Sequence, residues 1–249
     1  MEISVVIPAY NEENRIISTL EKLVVYLKRK KFDYEIIVVD DGSKDNTINV
    51  VEQFAKKTSN PNIKIKPNKV NHGKGYSVRQ GMLAARKQYV LFSDADLSTP
   101  ITELDKFLPF IKKYDIVIGS RRMKQSLIVT RQPFYRRIPG QVFPIVVNFL
   151  LIRGINDTQC GFKLFKRTAA QRIFRLQKLE RFSFDAEVLL LGKKLGYKIK
   201  EVPVVWVNAL DSKLNAVTDS VGMFVELLKV RYNLAKGNYK FSKLKNNNV

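Results

Sequence analysis

The sequence predicts an α/β protein built on a mostly parallel sheet flanked by helices, and three observations carry that prediction. Short β-branched runs alternate with helix-period segments through the first 119 residues, an alternation that requires βαβ units with right-handed crossovers. Three of those runs, Ile3–Ile7, Glu35–Val39 and Tyr89–Phe92, each hand over to a polar or acidic segment, which would bring three loops to one sheet edge. A chain of 249 residues that is 45% hydrophobic can bury one sizeable core, and no stretch reads as low complexity or as an internal repeat.

The elements follow in order. After the first strand, Ile16, Ile17, Leu20, Leu23, Val24 and Leu27 fall at spacings of three and four, so residues 12–30 read as an amphipathic crossover helix. The second strand, 35–39, precedes a helix that opens on the capping residues Asp45, Asn46 and Thr47 and runs to about Lys57. A short strand, Ile63–Ile65, leads to His72-Gly73-Lys74-Gly75 and a helix ending at Lys87. Strand 89–93 delivers Asp94-Ala95-Asp96, Pro100 precedes a helix over 102–112, and residues 115–119 form another strand. Beyond residue 120 the pattern loosens: 120–135 reads as a mobile basic loop and 136–153 as an apolar helix. Strands Gly161–Phe165 and Tyr197–Trp206 flank a helix over 185–195, and a last amphipathic helix spans 219–235. The expected organisation is one domain, 1–235, with halves 1–119 and 120–235, and a flexible basic tail, 236–249.

Forty-four Lys and Arg against 23 Asp and Glu give a net charge of +21, which calls for an anionic partner: nucleic acid, lipid headgroups or a phosphorylated substrate. No RNP-type or helix-turn-helix signature accompanies the charge, and the reading excludes nucleic acid. The single Cys160 allows no internal disulfide, consistent with a reducing compartment, and the chain enters a core strand at once without a signal peptide. Its longest apolar stretch, Val142–Ile152, is interrupted by Pro144 and Asn148 and falls far short of the roughly 20 residues that span a bilayer. Flanked by Arg136, Arg137 and Arg153, it suits either an interfacial helix or a core-facing one. The expectation is therefore a cytoplasmic protein, associated peripherally with an anionic membrane surface.

The carboxylates at the strand tips suit Mg²⁺ or Mn²⁺ holding a diphosphate, because hard cations prefer oxygen ligands shared between protein and phosphate. Asp94 and Asp96, separated by small Ala95, sit where they can grip one cation together; the alternative is that one of them caps the next helix. Asp40 and Asp41 precede Gly42-Ser43, a segment that equally reads as a turn, and a carboxylate there can accept from the imide of a uracil or guanine. Tyr10 offers a stacking face, and Glu12 an acceptor or a simple first-turn acid. The His72–Gly75 loop places Lys74 near a helix start, suited to a phosphate, and is neither a P-loop nor a dinucleotide fingerprint. His72 is the only histidine, which excludes a multi-histidine metal site and makes it a loop residue.

Val5–Glu13, Val38–Ser43, His72–Gly75 and Asp94–Leu97 together resemble the family 2 glycosyltransferases of the GT-A, Rossmann-like fold. Gly119-Ser120-Arg121, Asp157–Lys163, Arg181–Glu187 and Glu201–Trp206 extend the resemblance, over roughly residues 1–232, to the polyprenyl-phosphate branch that includes dolichyl-phosphate β-glucosyltransferases. The resemblance implies a nucleotide-sugar pocket from Pro8, Ala9, Tyr10, Glu12, Asp40, Asp41, Lys74, Asp94, Ala95 and Arg121. It implies a metal on Asp94 and Asp96, and a reaction centre at Asp157 and Asp96. Arg122, Arg131, Arg136, Gln159, Ser212 and Lys213 would serve the acceptor phosphate. Two positions depart from the pattern: Ser98 stands where related mannosyl enzymes carry Gln, and Asp211 where a Gly precedes Ser-Lys.

The implied activity is inverting transfer of a hexose, glucose first, from a UDP-sugar to dolichyl or polyprenyl phosphate. Transfer from GDP-mannose and a soluble family 2 enzyme acting on a glycan or protein are the alternatives. A phosphate acceptor carries about −1.5 to −2 charge near pH 7 and is its own nucleophile, so Asp157 is expected to orient a substrate rather than remove a proton. A nucleotidyltransferase would instead carry a Gly-rich, Arg-containing loop near the N-terminus.

Overall fold

The computed structural model describes residues 1–129, 146–148, 150–207 and 218–241. Seven strands form one sheet: β1 (Glu2–Ala9), β2 (Asp33–Asp40), β3 (Ile63–Pro67), β4 (Tyr89–Ser93), β5 (Ile116–Ser120), β7 (Phe162–Lys166) and β8 (Ile199–Pro203). Their order is β3-β2-β1-β4-β7-β5-β8, and every pairing is parallel except those of β7 with β4 and β5. A second, two-stranded parallel ribbon of β6 (Leu127–Ile128) and β9 (Val205–Trp206) continues from the ends of β5 and β8.

The central strands are apolar on both faces, and their period of two divides them between two cores. Ile3, Val5, Ile7, Ile36, Val38 and Leu91 point to one, and Val6, Ile37, Val39, Val90 and Phe92 to the other. The first core is closed by α1 (Ile16–Arg29), whose Ile16, Leu20, Leu23, Val24 and Leu27 are the stripe read from the sequence, with α2 (Thr47–Lys57) beside it. The second lies under α3 (Lys74–Ala84), α5 (Arg167–Leu176), α6 (Phe184–Lys194) and α7 (Thr218–Ala235).

Several boundaries differ from the sequence expectation for identifiable reasons. Helix α1 starts at Ile16, not residue 12, because Asn11 takes φ 54° and a turn through Glu12 precedes it. Helix α3 stops at Ala84, since Glu35 accepts from the Arg86 N–H and Ser4 from the Lys87 N–H. The helix expected over 102–112 is a 3₁₀ helix, Ile101–Lys106, followed by one α-turn, α4 (Leu108–Ile111), because Pro109 has no N–H to continue the ladder. The strand expected over Tyr197–Trp206 divides at Val204 into β8, which pairs with β5, and β9, which pairs with β6. Helix α5 was not expected, although Ala169, Ala170, Ile173 and Phe174 bury one helical face. Residues 127–128 are strand where a mobile loop was expected.

Residues 236–241, the start of the segment expected as a tail, are among the described residues. Tyr239 is buried and its hydroxyl donates to Glu187 Oε1 at 2.7 Å, which fastens the chain beyond α7 to α6. Of the apolar helix expected over 136–153, Val146, Val147, Asn148 and Leu150 are helical. Val147 is buried, and Asn148 donates to the Ile155 carbonyl at 2.6 Å, so these residues face the core; the remainder of the segment up to 145 lies outside the described residues.

Candidate active site

Strands β1, β2, β4 and β5 all end at one edge of the sheet, the position where open α/β sheets bind ligands. Because β7 runs the opposite way, its first residue, Phe162, pairs with Ser93, the last of β4. The segment from Asp157 to Gly161 therefore reaches the same edge, and Gly161 accepts from the Asp94 N–H at 3.1 Å.

Asp94 and Asp96 flank a residue turned inward: Ala95 is buried and its carbonyl accepts from the Thr19 hydroxyl at 2.6 Å. Asp96 Oδ1 accepts from the Ser98 N–H at 2.9 Å, and Leu97 between them takes φ 46°, a conformation that a β-carbon disfavours. Burial and the neighbouring Asp94 both push the Asp96 carboxyl above the usual carboxylate range. Lys74 Nζ stands 2.7 Å from Asp94 Oδ1, which is buried and among the described residues has no hydrogen-bond partner apart from that ion pair. Burial opposes the charge on Lys74, but Asp94, Asp185 and Asp96 together hold its pKa above the ordinary lysine value.

The β2 tip is tied to this cluster through Asp41. Its Oδ1 accepts from Asn68 Nδ2 (3.0 Å), the His72 N–H (3.1 Å) and the Ser77 hydroxyl (2.9 Å), and its Oδ2 from the Gly73 N–H (2.7 Å). With four protein donors on two oxygens, Asp41 holds the loop that carries Lys74. Gly73 adopts φ 109°, and a β-carbon there would lie 2.5 Å from the Glu180 carbonyl oxygen. Asp40, also buried, accepts from the Ser43 N–H at 2.9 Å and from its hydroxyl. His72 is an exposed loop residue, stacked on Tyr76 with ring centroids 4.3 Å apart.

Asp157 is fully buried and locked to Arg121. Arg121 Nε donates to Oδ2 at 2.7 Å, Nη2 to Oδ1 at 2.9 Å and the Arg121 backbone N–H to Oδ2 at 2.9 Å, while the Gln159 N–H reaches Oδ1 at 3.2 Å. Although burial alone would raise it, the Arg121 guanidinium holds the Asp157 carboxyl down at about 2. The same charge pair keeps Arg121 ionised, and its guanidinium lies 5.6 Å from the Trp206 ring centroid on β9. Glu201 fixes the approach to Asp157 by accepting from the backbone N–H groups of Asn156 and Asp157. Next to it, the buried Cys160 thiol is pushed up to about 11 by burial and Asp157, so it stays protonated.

Of the remaining expected residues, Pro8 and Ala9 are buried at the β1 tip, and Tyr10 is half-buried beyond it. Glu12 is buried against Arg15, whose Nη2 donates to its Oε1 at 2.8 Å. Arg122 is exposed after β5, and Gln159 is half-buried near Asp157. Arg131, Arg136, Ser212 and Lys213, with Asp211, lie outside the described residues. Three contributors lie in segments that carry the resemblance but were given no role from the sequence: Gly161, Trp206, and the buried Lys163–Asp185 pair behind Asp94.

Asp94 and Asp96 fit a hard divalent cation: both offer oxygen, and among the described residues the buried Asp94 Oδ1 has the Lys74 ammonium as its sole partner. Among the described residues no cluster of three His, Cys, Asp or Glu side chains is gathered for a metal, so substrate oxygens would complete the shell.

A family model, Glycosyl transferase family 2, matches residues 4–174. The chain belongs to glycosyltransferase family 2. Among its family 2 relatives, a dolichyl-phosphate beta-glucosyltransferase of Dictyostelium discoideum is 39% identical, over 96% of this chain and 76% of its own length. The Homo sapiens dolichyl-phosphate beta-glucosyltransferase is 32% identical, over 99% of this chain and 80% of its own. Among solved structures, glucosyl-3-phosphoglycerate synthase from Mycobacterium tuberculosis, in complex with Mn²⁺, uridine-diphosphate and phosphoglyceric acid, superposes with a TM-score of 0.61 at 19% identity, covering 92% of this chain and 76% of that one. Mannosyltransferase PcManGT from Pyrobaculum calidifontis, in complex with GDP-Man and Mn²⁺, gives 0.56 at 20% identity over 85% and 57%. The structural likeness shows that this family 2 glycosyltransferase has the GT-A fold.

Proposed function

We propose that this glycosyltransferase transfers glucose, with inversion, from UDP-glucose to dolichyl phosphate or a related polyprenyl phosphate at the cytoplasmic face of a membrane. The observation that carries the reading is the gathering of Asp94, Asp96, Lys74 and Arg121 at one sheet edge, two acids for a cation and two bases for phosphates. The names of the relatives support glucose and dolichyl phosphate, and the uridine-diphosphate in a solved neighbour supports the donor.

In this reading Tyr10 and Asp40 receive the uracil, and Pro8, Ala9, Glu12 and Ala95 shape the pocket around the nucleoside. Asp94 and Asp96 would hold Mg²⁺ or Mn²⁺, which when bound neutralises charge developing on the departing UDP. Lys74 and Arg121 add fixed positive charge for the diphosphate, an electrostatic contribution of several kcal/mol where water is excluded. Asp157, held near pKa 2 in the grip of Arg121, has no capacity to act as a base near neutral pH. It positions Arg121, and the dianionic acceptor supplies its own nucleophilic oxygen.

Beside Asp96 a groove of about 490 Å³ is walled by Val25, Tyr26, Leu97, Pro100 and Ile101, with Lys22 and Arg29 also lining it. Apolar walls with two cations suit an amphiphilic phosphate. Arg122, Arg131, Arg136, Gln159, Ser212 and Lys213 are assigned to the acceptor side. No helix among the described residues is long and apolar enough to cross a membrane. We assign a peripheral contact in which exposed Leu127, Ile128 and Val129 meet an anionic surface, with the bases of the sequence that follows each adding about 1 kcal/mol of attraction.

The test incubates the full chain with radiolabelled UDP-glucose or GDP-mannose and dolichyl phosphate, with Mn²⁺ or with EDTA. Label in the lipid phase from UDP-glucose alone, abolished by EDTA, is expected. Label from GDP-mannose, or product on a soluble glycan instead, would overturn the donor or the acceptor assignment.

A further inference from the structure

Lys163 is 1% exposed and Asp185 4% exposed, and their side chains form an ion pair that none of the steps above uses. A buried pair of this kind is weak evidence for stability, since desolvating two charges offsets most of their attraction. What distinguishes this one is what Lys163 touches. Its Nζ also donates to the Cys160 carbonyl at 2.6 Å, and the next residue, Gly161, lies flat against the Asp94 carboxylate. A β-carbon on Gly161 would stand 1.9 Å from Asp94 Oδ2 and 2.7 Å from Oδ1, and the Gly161 carbonyl accepts from the Asp94 N–H.

Asp185 holds the other end. It lies in the first turn of α6, and the chain leading into that turn packs on the loop that carries Lys74: the Gly75 N–H donates to the Arg181 carbonyl at 3.2 Å, and the Tyr76 N–H to the Glu180 carbonyl at 3.0 Å. A β-carbon on Gly75 would meet Phe184 Cβ at 2.8 Å. Both Lys163 and Lys74 bring their Nζ within 5.6 Å and 5.5 Å of the Phe92 ring centroid, two residues before Asp94. The two charges thus join β7, α6 and the Lys74 loop behind a single carboxylate.

We propose that the Lys163–Asp185 pair is a positioning device: by clamping the Cys160 carbonyl it presses the Gly161 backbone on Asp94 and fixes that carboxylate in the orientation that receives the cation. The inference rests on the reading of Asp94 and Asp96 as metal ligands. Groups that orient a metal ligand in this way typically govern 10- to 100-fold in metal affinity.

The experiment measures Mn²⁺ binding to the full chain by electron paramagnetic resonance in the presence of UDP, beside thermal unfolding and Mn²⁺-dependent turnover. The variants are Lys163→Met and the double Lys163→Met with Asp185→Leu. The double removes both charges and leaves the net charge behind Asp94 unchanged, which limits the electrostatic part of any loss of affinity. It also leaves no unpaired buried charge and decides the matter should the single variant fail to fold. The expected result is a Kd for Mn²⁺ raised about tenfold or more in the double variant at near wild-type Tm, with the activity deficit closing as Mn²⁺ is raised. A folded double variant that binds Mn²⁺ with the wild-type Kd would overturn the proposal while leaving the metal site intact. Failure of the wild-type chain itself to bind Mn²⁺ with UDP would overturn the metal reading, and the positioning role with it.

Discussion

Arg121 and Asp157 are bound to each other through three hydrogen bonds, two from the guanidinium and one from the Arg121 backbone, although 36 residues separate them. The pair joins the end of β5 to the segment entering β7, so the Arg121 guanidinium is fixed by a carboxylate no solvent reaches.

Replacement of Asp157 by Asn is therefore expected to act through Arg121. One oxygen is lost and an amide N–H₂ meets the guanidinium, leaving a mostly buried cation unpaired, at a cost of about 3 kcal/mol in stability. Turnover at neutral pH should fall 10-fold or more, with no new ionisation in its pH profile. A folded variant with wild-type turnover would remove Asp157 from the site.

The same pair sets a pH signature in stability. The Asp157 carboxyl is lowered from the usual carboxylate value to about 2, so its contribution is complete above the unfolded pKa, near 4, and is lost as pH falls from there through about 2. The wild type should lose about 2 kcal/mol relative to Asp157→Asn across that window and nothing between pH 5 and 8. Urea unfolding of both proteins at stepped pH gives the difference directly.

Removal of the cation should be more severe than any single positioning defect. EDTA is expected to abolish transfer, and Mn²⁺ or Mg²⁺ to restore it. Asp94→Asn and Asp96→Asn should each cost at least 100-fold, the equivalent of several kcal/mol of leaving-group stabilisation. Turnover that is indifferent to chelation would remove the cation from the reaction.

Asp41 gives a sharper contrast. Its four donors come from Asn68, His72, Gly73 and Ser77, so Asp41→Ala leaves buried N–H and O–H groups unsatisfied and should cost about 3 kcal/mol. The loop carrying Lys74 would loosen, and the KM for the donor should rise more than kcat falls. A variant of normal stability with a large fall in donor affinity would instead return Asp41 to direct contact with the nucleotide.

The parallel half of the sheet and the acid-bearing tips were legible because local pattern encodes them: Ile3–Ile7 and Glu35–Val39 are apolar runs bounded by turn residues, and Asp94-Ala95-Asp96 directly follows one. The direction of β7 was not legible, since Phe162–Lys166 reads the same in either sense and its orientation is set by where the preceding chain arrives. Nor was the use of Asp41, whose donors lie 27 to 36 residues away. Lys163 was hidden for a related reason: in Phe162-Lys163-Leu164-Phe165-Lys166 it looks like the solvent side of an alternating strand, and only the α6 carboxylate opposite makes its burial possible.

The hydrogen bond between Tyr239 and Glu187 carries the last prediction. Glu187 is fully buried, and its oxygens accept from the Lys178 and Leu179 N–H groups and from the Tyr239 hydroxyl. Burial, the largest influence, pushes the Glu187 carboxyl up, and those three donors pull against it. Tyr239→Phe removes one donor without altering the ring, so the loss should be that of a hydrogen bond to a charged group, about 2 kcal/mol. The Glu187 carboxyl should then rise further, so the penalty grows as pH increases and the buried group is forced to ionise. Thermal unfolding of Tyr239→Phe and wild type at pH 5 and pH 8 measures it: a larger Tm deficit at pH 8 is expected, and equal stability at both would detach Tyr239 from the fold.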